Sequence, residues 1–175
     1  MKTILFLLIS VGSFAQGGVY LTYDDYLNQR LTHKEAKVNT NDFLGLSYIT
    51  VKDGETKIKL LKVEIYGIAA NDCSLIKFEN NERYYLAETG KMWIFYKWIN
   101  VPEGKRHRKE KQYYFSVSGD TPLMPLTVTN LKKAFSNNIK FQDLVDVHFQ
   151  TTSATHYDIA KQQFKANYLL AKSEQ

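Results

Sequence analysis

The sequence contains a single cysteine, Cys73, among its 175 residues. A lone cysteine cannot form a disulfide within the chain, so the fold must be held together by its hydrophobic core. We interpret Cys73 as a small buried hydrophobic residue rather than as a nucleophile. The chain also lacks internal repeats, linkers and low-complexity segments, and its length suits one domain.

Sequence motifs of catalysis and cofactor binding are absent as well. There is no GxSxG elbow, no GxGxxG or other glycine-rich phosphate loop, and no HExxH pair. Asp143 and Asp146 are neighbours on a helix, but His148 lies two residues beyond Asp146 and points elsewhere. The sequence therefore predicts no catalytic residue, no metal site and no cofactor, although a catalytic group assembled in space would leave no such motif.

The first residues have the pattern of a secretory signal peptide. Lys2 supplies a positive charge, residues 4–9 form a short apolar core, and residues 13–15 make a small-x-small cleavage site. We therefore predict a signal peptide over residues 1–15 and a single domain over residues 16–175, exported to the periplasm or the cell exterior. No later apolar run is long enough to cross a bilayer, so we expect no transmembrane span in the mature chain.

Aromatic residues make up 14% of the chain, and many of them alternate along extended segments. Residues 83–88 and 91–99 flank a glycine-containing turn, which predicts a β-hairpin. In the second segment the apolar side chains of Ile94 and Phe95 point in opposite directions. A strand with apolar residues on both faces is covered on both sides, so we expect this strand to be central in its sheet.

Further short strands surround this hairpin, and turn signals such as Asp53-Gly54 and Asn80-Asn81 separate them. The predicted strands lie at residues 19–21, 46–51, 56–61, 65–69, 74–79, 83–88, 91–99 and 112–118. Short connections make an antiparallel meander the simplest topology. Residues 32–41 are polar and have no clear period, so we predict a loop there.

Helix patterns occur near the start of the mature chain and after Pro125. Thr22 and Asp25 can form a capping box at the start of a short helix. Apolar residues at helical spacing predict further helices near residues 128–135, 141–148 and 157–172. The predicted fold class is α+β: an antiparallel β-meander of six to eight strands, as a twisted sheet or open barrel, with a short N-terminal helix and C-terminal helices packed on it.

A basic cluster between two predicted strands is the first candidate site. The residues that we expect to bind an anionic ligand are Lys105, Arg106, His107, Arg108 and Lys109. At a hairpin tip these side chains can pair with phosphate groups. A solvated loop whose charge prevents edge-to-edge association of sheets is the commoner explanation of a single charged tip, and no known recognition motif surrounds this one.

Aromatic side chains near the ends of strands are the second candidate site. Trp98 follows Lys97 at the end of its strand, and Tyr114 lies on the more polar face of the strand over residues 112–118. We predict that Trp98 and Tyr114 offer a stacking platform for a sugar or another flat ligand. As a group, however, the rings that alternate along these strands are predicted mainly to fill the interior of the sheet.

Several short segments carry a resemblance to a known group of proteins. They are residues 18–28 (GVYLTYDDYLN), 65–67 (IYG), 125–127 (PLT) and 130–135 (NLKKAF), followed by Phe141, Leu144 and Asp146. With these segments the chain resembles a family of small exported Bacteroidota proteins that have no established function. The resemblance implies export and a single domain, and it implies no catalytic or binding residue.

These observations favour a non-catalytic binding or interaction module of the envelope or the secreted fraction. We expect its partner to be an anionic envelope component or an envelope protein, and nothing in the sequence favours nucleic acid. Two alternatives remain open: a hydrolase acting on envelope glycans or peptides, and a structural component of an envelope assembly.

Overall fold

The computed structural model describes residues 17–40, 45–69 and 75–175. The predicted signal peptide over residues 1–15 and the single cysteine, Cys73, lie outside the described residues. The predicted α+β fold class is confirmed, because an open antiparallel sheet of ten strands carries a few helices, including helices near the C-terminus.

The large sheet contains all the long strands of the described chain. They are β1 (Gly17–Tyr20), β2 (Thr32–Asn39), β3 (Tyr48–Asp53), β4 (Thr56–Leu61), β5 (Gly67–Ala69), β6 (Leu75–Glu79), β7 (Glu82–Glu88), β8 (Trp93–Glu103), β9 (Arg106–Ser116) and β10 (Met124–Pro125). Their order across the sheet is β10-β9-β8-β7-β6-β5-β1-β2-β3-β4. The sheet has more strands than the six to eight predicted, because β2 does not alternate and the two-residue β10 leaves no sequence pattern.

The remaining elements are four helices and a small two-stranded sheet. They are α1 (Tyr23–Leu27), α2 (Val128–Ala134), α3 (Ile139–His148), β11 (Tyr157–Asp158), β12 (Gln163–Phe164) and α4 (Lys165–Ser173). The capping box of Thr22 and Asp25 at the start of α1 is confirmed. Thr127 and Asn138 cap α2 and α3 by accepting hydrogen bonds from backbone amides.

The predicted loop over residues 32–41 is wrong, because most of it forms the bulged strand β2. Its register with β1 shifts between the pairs Gly17↔Ala36 and Val19↔Thr32. His33 and Glu35 have positive φ angles of 53° and 65° within the shifted segment. A bulge bends a strand and removes its two-residue alternation, which explains why the sequence pattern resembles a loop.

The bend in β2 brings β3 into contact with β5 and β6, in the middle of the sheet. Ile49 and Val51 of β3 share one hydrophobic cluster with Ile68, Ile76 and Phe78 from β5 and β6. Beyond β4, the buried Lys62 side chain donates a 3.3 Å hydrogen bond to the carbonyl oxygen of Asn81, in the turn between β6 and β7. The segment β2–β4 therefore folds over the middle of the sheet without closing it into a barrel.

The first half of β8 is buried on both faces, as its apolar alternation predicts. Ile94 is fully buried in a cluster with residues of α2, α3 and α4. Phe95 is fully buried on the opposite face beside Tyr20, Leu75 and Tyr84. The prediction that rings along this segment mainly fill the interior is correct for Phe95.

The predicted helix over residues 157–172 is wrong in its first half. Tyr157 pairs with Phe164 in the small hairpin β11–β12, and α4 begins only at Lys165. The side chain of Asp158 accepts a hydrogen bond from the backbone amide of Lys161, which gives this donor a partner within the turn. The helical spacing of apolar residues here arises from a hairpin followed by a helix.

A buried asparagine fastens α4 to the turn before β8. The Asn167 side chain accepts a 2.9 Å hydrogen bond from the amide of Met92 and donates a 2.9 Å bond to its carbonyl oxygen. The same side chain donates to the Glu88 carboxylate at 2.6 Å. Because Asn167 is only 2% exposed, water cannot replace these bonds without local opening.

We predict that Asn167→Ala lowers the free energy of unfolding by about 3 kcal/mol, because it leaves several buried polar groups unsatisfied. Chemical denaturation followed by circular dichroism measures the loss. Asn100→Ala on the exposed part of β8 serves as the control and should change stability little. A loss for Asn167→Ala no larger than that for Asn100→Ala would contradict this role.

Candidate functional site

The outer half of the β8–β9 hairpin projects from the sheet as a two-stranded ribbon. We call this ribbon the arm; it consists of residues 98–111. Its register runs from Trp98↔Lys111 to Glu103↔Arg106. Within the described ranges, β7 pairs with β8 only up to Tyr96, and β10 pairs with β9 only at Tyr114 and Phe115. The arm therefore extends roughly 20 Å with no third strand beside it.

A tight turn at Gly104 closes the arm. Gly104 has a φ angle of 60°, and Lys105 follows it as the second residue of the turn. A two-residue turn with positive φ at its first position matches the twist of an antiparallel ribbon. A side chain at position 104 would strain this backbone conformation, so glycine is the residue that the turn requires.

The predicted basic cluster lies mostly on a strand and not in a loop. Only Lys105 is in the turn, whereas Arg106, His107, Arg108 and Lys109 belong to β9. All five side chains are exposed. The correction follows from the pairing of these residues with β8, since a long hairpin continues through polar sequence once its turn is set.

The arm carries a net positive charge, most of which lies on one face. Strand alternation places Arg106 and Arg108 on one face and His107, Lys109 and Lys111 on the other. Arg106 and Arg108 share their face with Glu103 and Glu110, whereas the opposite face of the arm carries no carboxylate. Residues 98–111 include five lysines and arginines but only two acidic residues, Glu103 and Glu110. The Arg108 guanidinium donates to the Glu110 carboxylate, so one arginine is partly neutralised. The excess charge favours an anionic partner.

A row of stacked rings lies at the base of the arm; we call Tyr85, Tyr96 and Trp98 the aromatic row. The rings of Tyr85 and Tyr96 stack with centroids 5.2 Å apart, and Trp98 meets Tyr96 edge-on at 5.8 Å. The ammonium of Lys111 lies 4.1 Å from the Tyr96 centroid and 5.4 Å from that of Trp98. At the other end, Arg83 lies 5.7 Å from the Tyr85 centroid. The row thus combines flat rings with cations.

Two open grooves border the aromatic row. One, of about 350 Å³, lies beside Arg83, Tyr85 and Trp98. The other, of about 330 Å³, separates Tyr96 and Lys111 from the small hairpin β11–β12. Trp98 is 50% exposed, so its ring can be reached from solvent. A flat ligand could therefore contact the row without displacing the core.

Trp98 and Tyr114 do not form the single platform that the sequence predicts. Lys97 is opposite Gln112 and Trp98 is opposite Lys111, so alternation puts Tyr114 on the face opposite Trp98. There the Tyr114 hydroxyl donates to Gln112 at 2.8 Å, and its ring packs edge-on against Tyr84 at 5.0 Å. A ligand on the exposed ring of Trp98 could not contact Tyr114 at the same time.

A charged network supports the face that carries Tyr114. The Lys97 ammonium and the Tyr84 hydroxyl both donate to the Glu82 carboxylate, at 2.5 Å and 3.0 Å. The hydrogen bond from Lys97 lowers the pKa of Glu82 below its ordinary value. Burial, helped by the hydrogen bond to Glu82, raises the pKa of Tyr84. Glu82 and Lys97 therefore stay charged near neutral pH, and their ion pair holds β7 against β8.

Sequence reasoning did not identify Arg83 as a member of the site. Arg83 reaches the aromatic row because Tyr85 is opposite Tyr96, and this register follows a shift between Leu86 and Glu88. A turn signal alone sets a regular register, so the shift cannot be read from the sequence. Two-residue alternation of Arg83 with Tyr85 is the only sequence signal for their shared face.

Neither a metal site nor a membrane-spanning helix is found in the part of the chain that the structure describes. There, no group of three or more His, Cys, Asp or Glu side chains could hold a metal ion. Asp146, considered from sequence as a ligand, instead forms a 2.5 Å ion pair with Lys132. No helix of the described residues is long and apolar enough to cross a membrane.

The fold and the arm define an open antiparallel α+β domain with a basic β-ribbon. Comparison with models of protein families, with curated proteins and with solved structures gives no match for the chain. The resemblance to exported Bacteroidota proteins stays a prediction.

We predict that iodide quenches the fluorescence of Trp98 several-fold more strongly than that of Trp93. Trp98 is half exposed and lies beside the ammonium of Lys111, which attracts the anion. Trp93 instead packs against Tyr23 and Tyr26. Stern–Volmer plots for Trp98→Phe and the unchanged protein measure the difference.

Caesium provides the matched control for charge, because a cation is not concentrated by Lys111 and should quench both tryptophans weakly. Equal iodide quenching before and after Trp98→Phe would show that the aromatic row is closed to solvent anions.

Proposed function

We propose that the protein is an exported, non-catalytic binding module whose arm and aromatic row bind an anionic glycan of the cell envelope. The observation that carries the proposal is the arm itself. Its basic side chains project into solvent on a ribbon that contributes no buried hydrophobic residue, so their energetic value to folding is small. A partner of opposite charge accounts for them better.

The aromatic row narrows the class of ligand. A sugar ring can lie on the exposed face of Trp98 while phosphate or carboxylate groups on neighbouring sugars reach the cations of the arm. Residues 99–111 contain no Phe, Tyr or Trp, so the large aromatic rings occur only at the base of the arm. The bases of a nucleic acid strand would therefore have no large aromatic ring to stack on along the ribbon, which favours a glycan over nucleic acid.

We predict that the triple variant Arg106→Ser, Arg108→Ser and Lys109→Ser weakens binding to lipopolysaccharide by about tenfold or more, because it removes three exposed cations from the arm. Isothermal titration calorimetry with purified lipopolysaccharide, at two salt concentrations, measures the change. The unchanged protein should also show the steeper dependence on salt.

A triple variant with the same loss of charge elsewhere provides the control: Lys133, Lys140 and Lys172, each changed to Ser, on the C-terminal helices. This control should bind as the unchanged protein does. Equal affinity of the arm variant and the unchanged protein would refute the proposal and leave the arm as a solvated ribbon.

Trp98→Ala separates stacking from charge. It should weaken lipopolysaccharide binding while leaving the salt dependence unchanged, because it removes a ring and no ion pair. Release of reducing sugar during the same incubation would instead favour the alternative of a hydrolase.

A further inference from the structure

A second basic surface lies on the opposite part of the sheet, on the outer face of β2, β3 and β4. Lys37 is directly opposite Lys52, and Lys52 is directly opposite Lys57, so three lysines form a line across three neighbouring strands. Lys59 follows Lys57 on the same face of β4. We call Lys37, Lys52, Lys57 and Lys59 the lysine face.

The arrangement of the lysine face opposes the stability of the sheet. Like charges directly opposite each other on neighbouring strands are destabilising. Lysines on an edge strand commonly prevent edge-to-edge association, which explains Lys57 and Lys59 on the edge strand β4. That explanation does not reach Lys52, since β3 has a strand on both sides.

The other paired positions on this face are uncharged, and the exposed Glu35 and Glu55 lie just beyond them, on β2 and in the β3–β4 turn. Asn39, Tyr48 and Thr50 alternate with the lysines on β2 and β3. The nearby carboxylate of Asp53 contacts the imidazole of His33 at 3.1 Å, at the end of the strand. An open groove of about 410 Å³ runs between Lys37, Lys52 and Lys57. The lysine face is therefore hydrophilic, and three of its lysines surround one open groove.

Exposed aliphatic side chains adjoin the lysine face. Leu61 lies on the same face of β4 as Lys57 and Lys59, two positions further along the alternation, and is 42% exposed. Val63 follows it and is 82% exposed. Basic residues beside exposed aliphatic residues suit a bilayer surface, where ammonium groups meet headgroup phosphates and short apolar side chains enter the interface.

We infer that the lysine face docks the protein on an anionic phospholipid bilayer. The lysines attract the negative surface, and Leu61 and Val63 enter the interfacial region. A small soluble phosphate accounts for less of this surface, because it would contact the lysines around the groove but not the exposed side chains of Leu61 and Val63. The inference does not depend on glycan binding by the arm, and vesicles of pure phospholipid contain no glycan.

The test uses vesicles of phosphatidylglycerol and phosphatidylcholine in equal parts, with pure phosphatidylcholine vesicles as the uncharged comparison. The full-length mature protein should co-sediment with the anionic vesicles only. Lys52→Glu should weaken this binding about tenfold or more, because it replaces an attraction with a repulsion at the centre of the face. Lys133→Glu on α2 is the matched control and should have no effect.

A stability measurement accompanies the binding assay. Lys52→Glu places a carboxylate between Lys37 and Lys57, so the melting temperature should stay the same or rise. Weaker vesicle binding by a protein that is at least as stable cannot be attributed to misfolding. Leu61→Ser with Val63→Ser should weaken the part of vesicle binding that persists at high salt.

Three results would overturn the inference. The first is unchanged vesicle binding by Lys52→Glu. The second is loss of binding only in the Arg106, Arg108 and Lys109 variant, which would assign the lipid contact to the arm. The third is displacement from vesicles by millimolar inorganic phosphate at constant ionic strength, which would indicate a site for a free anion.

Discussion

Backbone pairing along both edges of β1 is the constraint on which the rest of the sheet depends. Its four residues pair with β2 on one side and with β5 on the other, so they join the strands β1–β4 to the strands β5–β10. The backbones of β1 and β5 approach each other closely, because a Cβ atom at Gly17 would lie 2.9 Å from the carbonyl oxygen of Ala69. Val19 is fully buried there. The bulge in β2 then turns one group of strands over the other, and the hydrophobic cluster around Ile49 and Ile76 forms between them.

The positions of both basic surfaces follow from this arrangement. The lysine face is the outer side of the folded-over strands, whose inner side supplies Val51 to the core. The arm extends from the other group of strands, where β8 and β9 continue beyond the ends of their neighbouring strands. Each surface therefore belongs to a different part of the sheet, and substitutions in one leave the strand pairing of the other intact. The two proposed contacts, with a glycan and with a bilayer, therefore involve separate residues.

Local signals in the sequence were sufficient for much of the fold. Alternating strands next to Gly54, and the turn at Asn80 and Asn81, are found where expected, and both asparagines have positive φ angles. A glycine within an apolar strand, such as Gly67, predicts a bulge or a close approach of backbone, and a Cβ there would lie 2.6 Å from the carbonyl oxygen of Ile76. Irregular pairing could not be predicted. The bulge of β2 resembles a loop, and the shifted register of β7 hides the pairing of Tyr85 with Tyr96, which brings Arg83 to the aromatic row. The exposure of Trp98 could be predicted from its position at the end of a strand. Its separation from Tyr114 could not, because that depends on the register of β8 with β9.

The arm differs from the rest of β8 in how its backbone is held. Its two strands bond only to each other among the described residues, whereas Ile94 and Phe95 lie between two neighbouring strands and under packed side chains. A two-stranded ribbon without a hydrophobic face is only marginally stable on its own. Amide protons near the tip should therefore exchange with deuterium through local fraying, and those at the base only when a much larger unit opens. The protein presents its cations on a segment that can adjust to the spacing of charges on a polymer while the base keeps its shape.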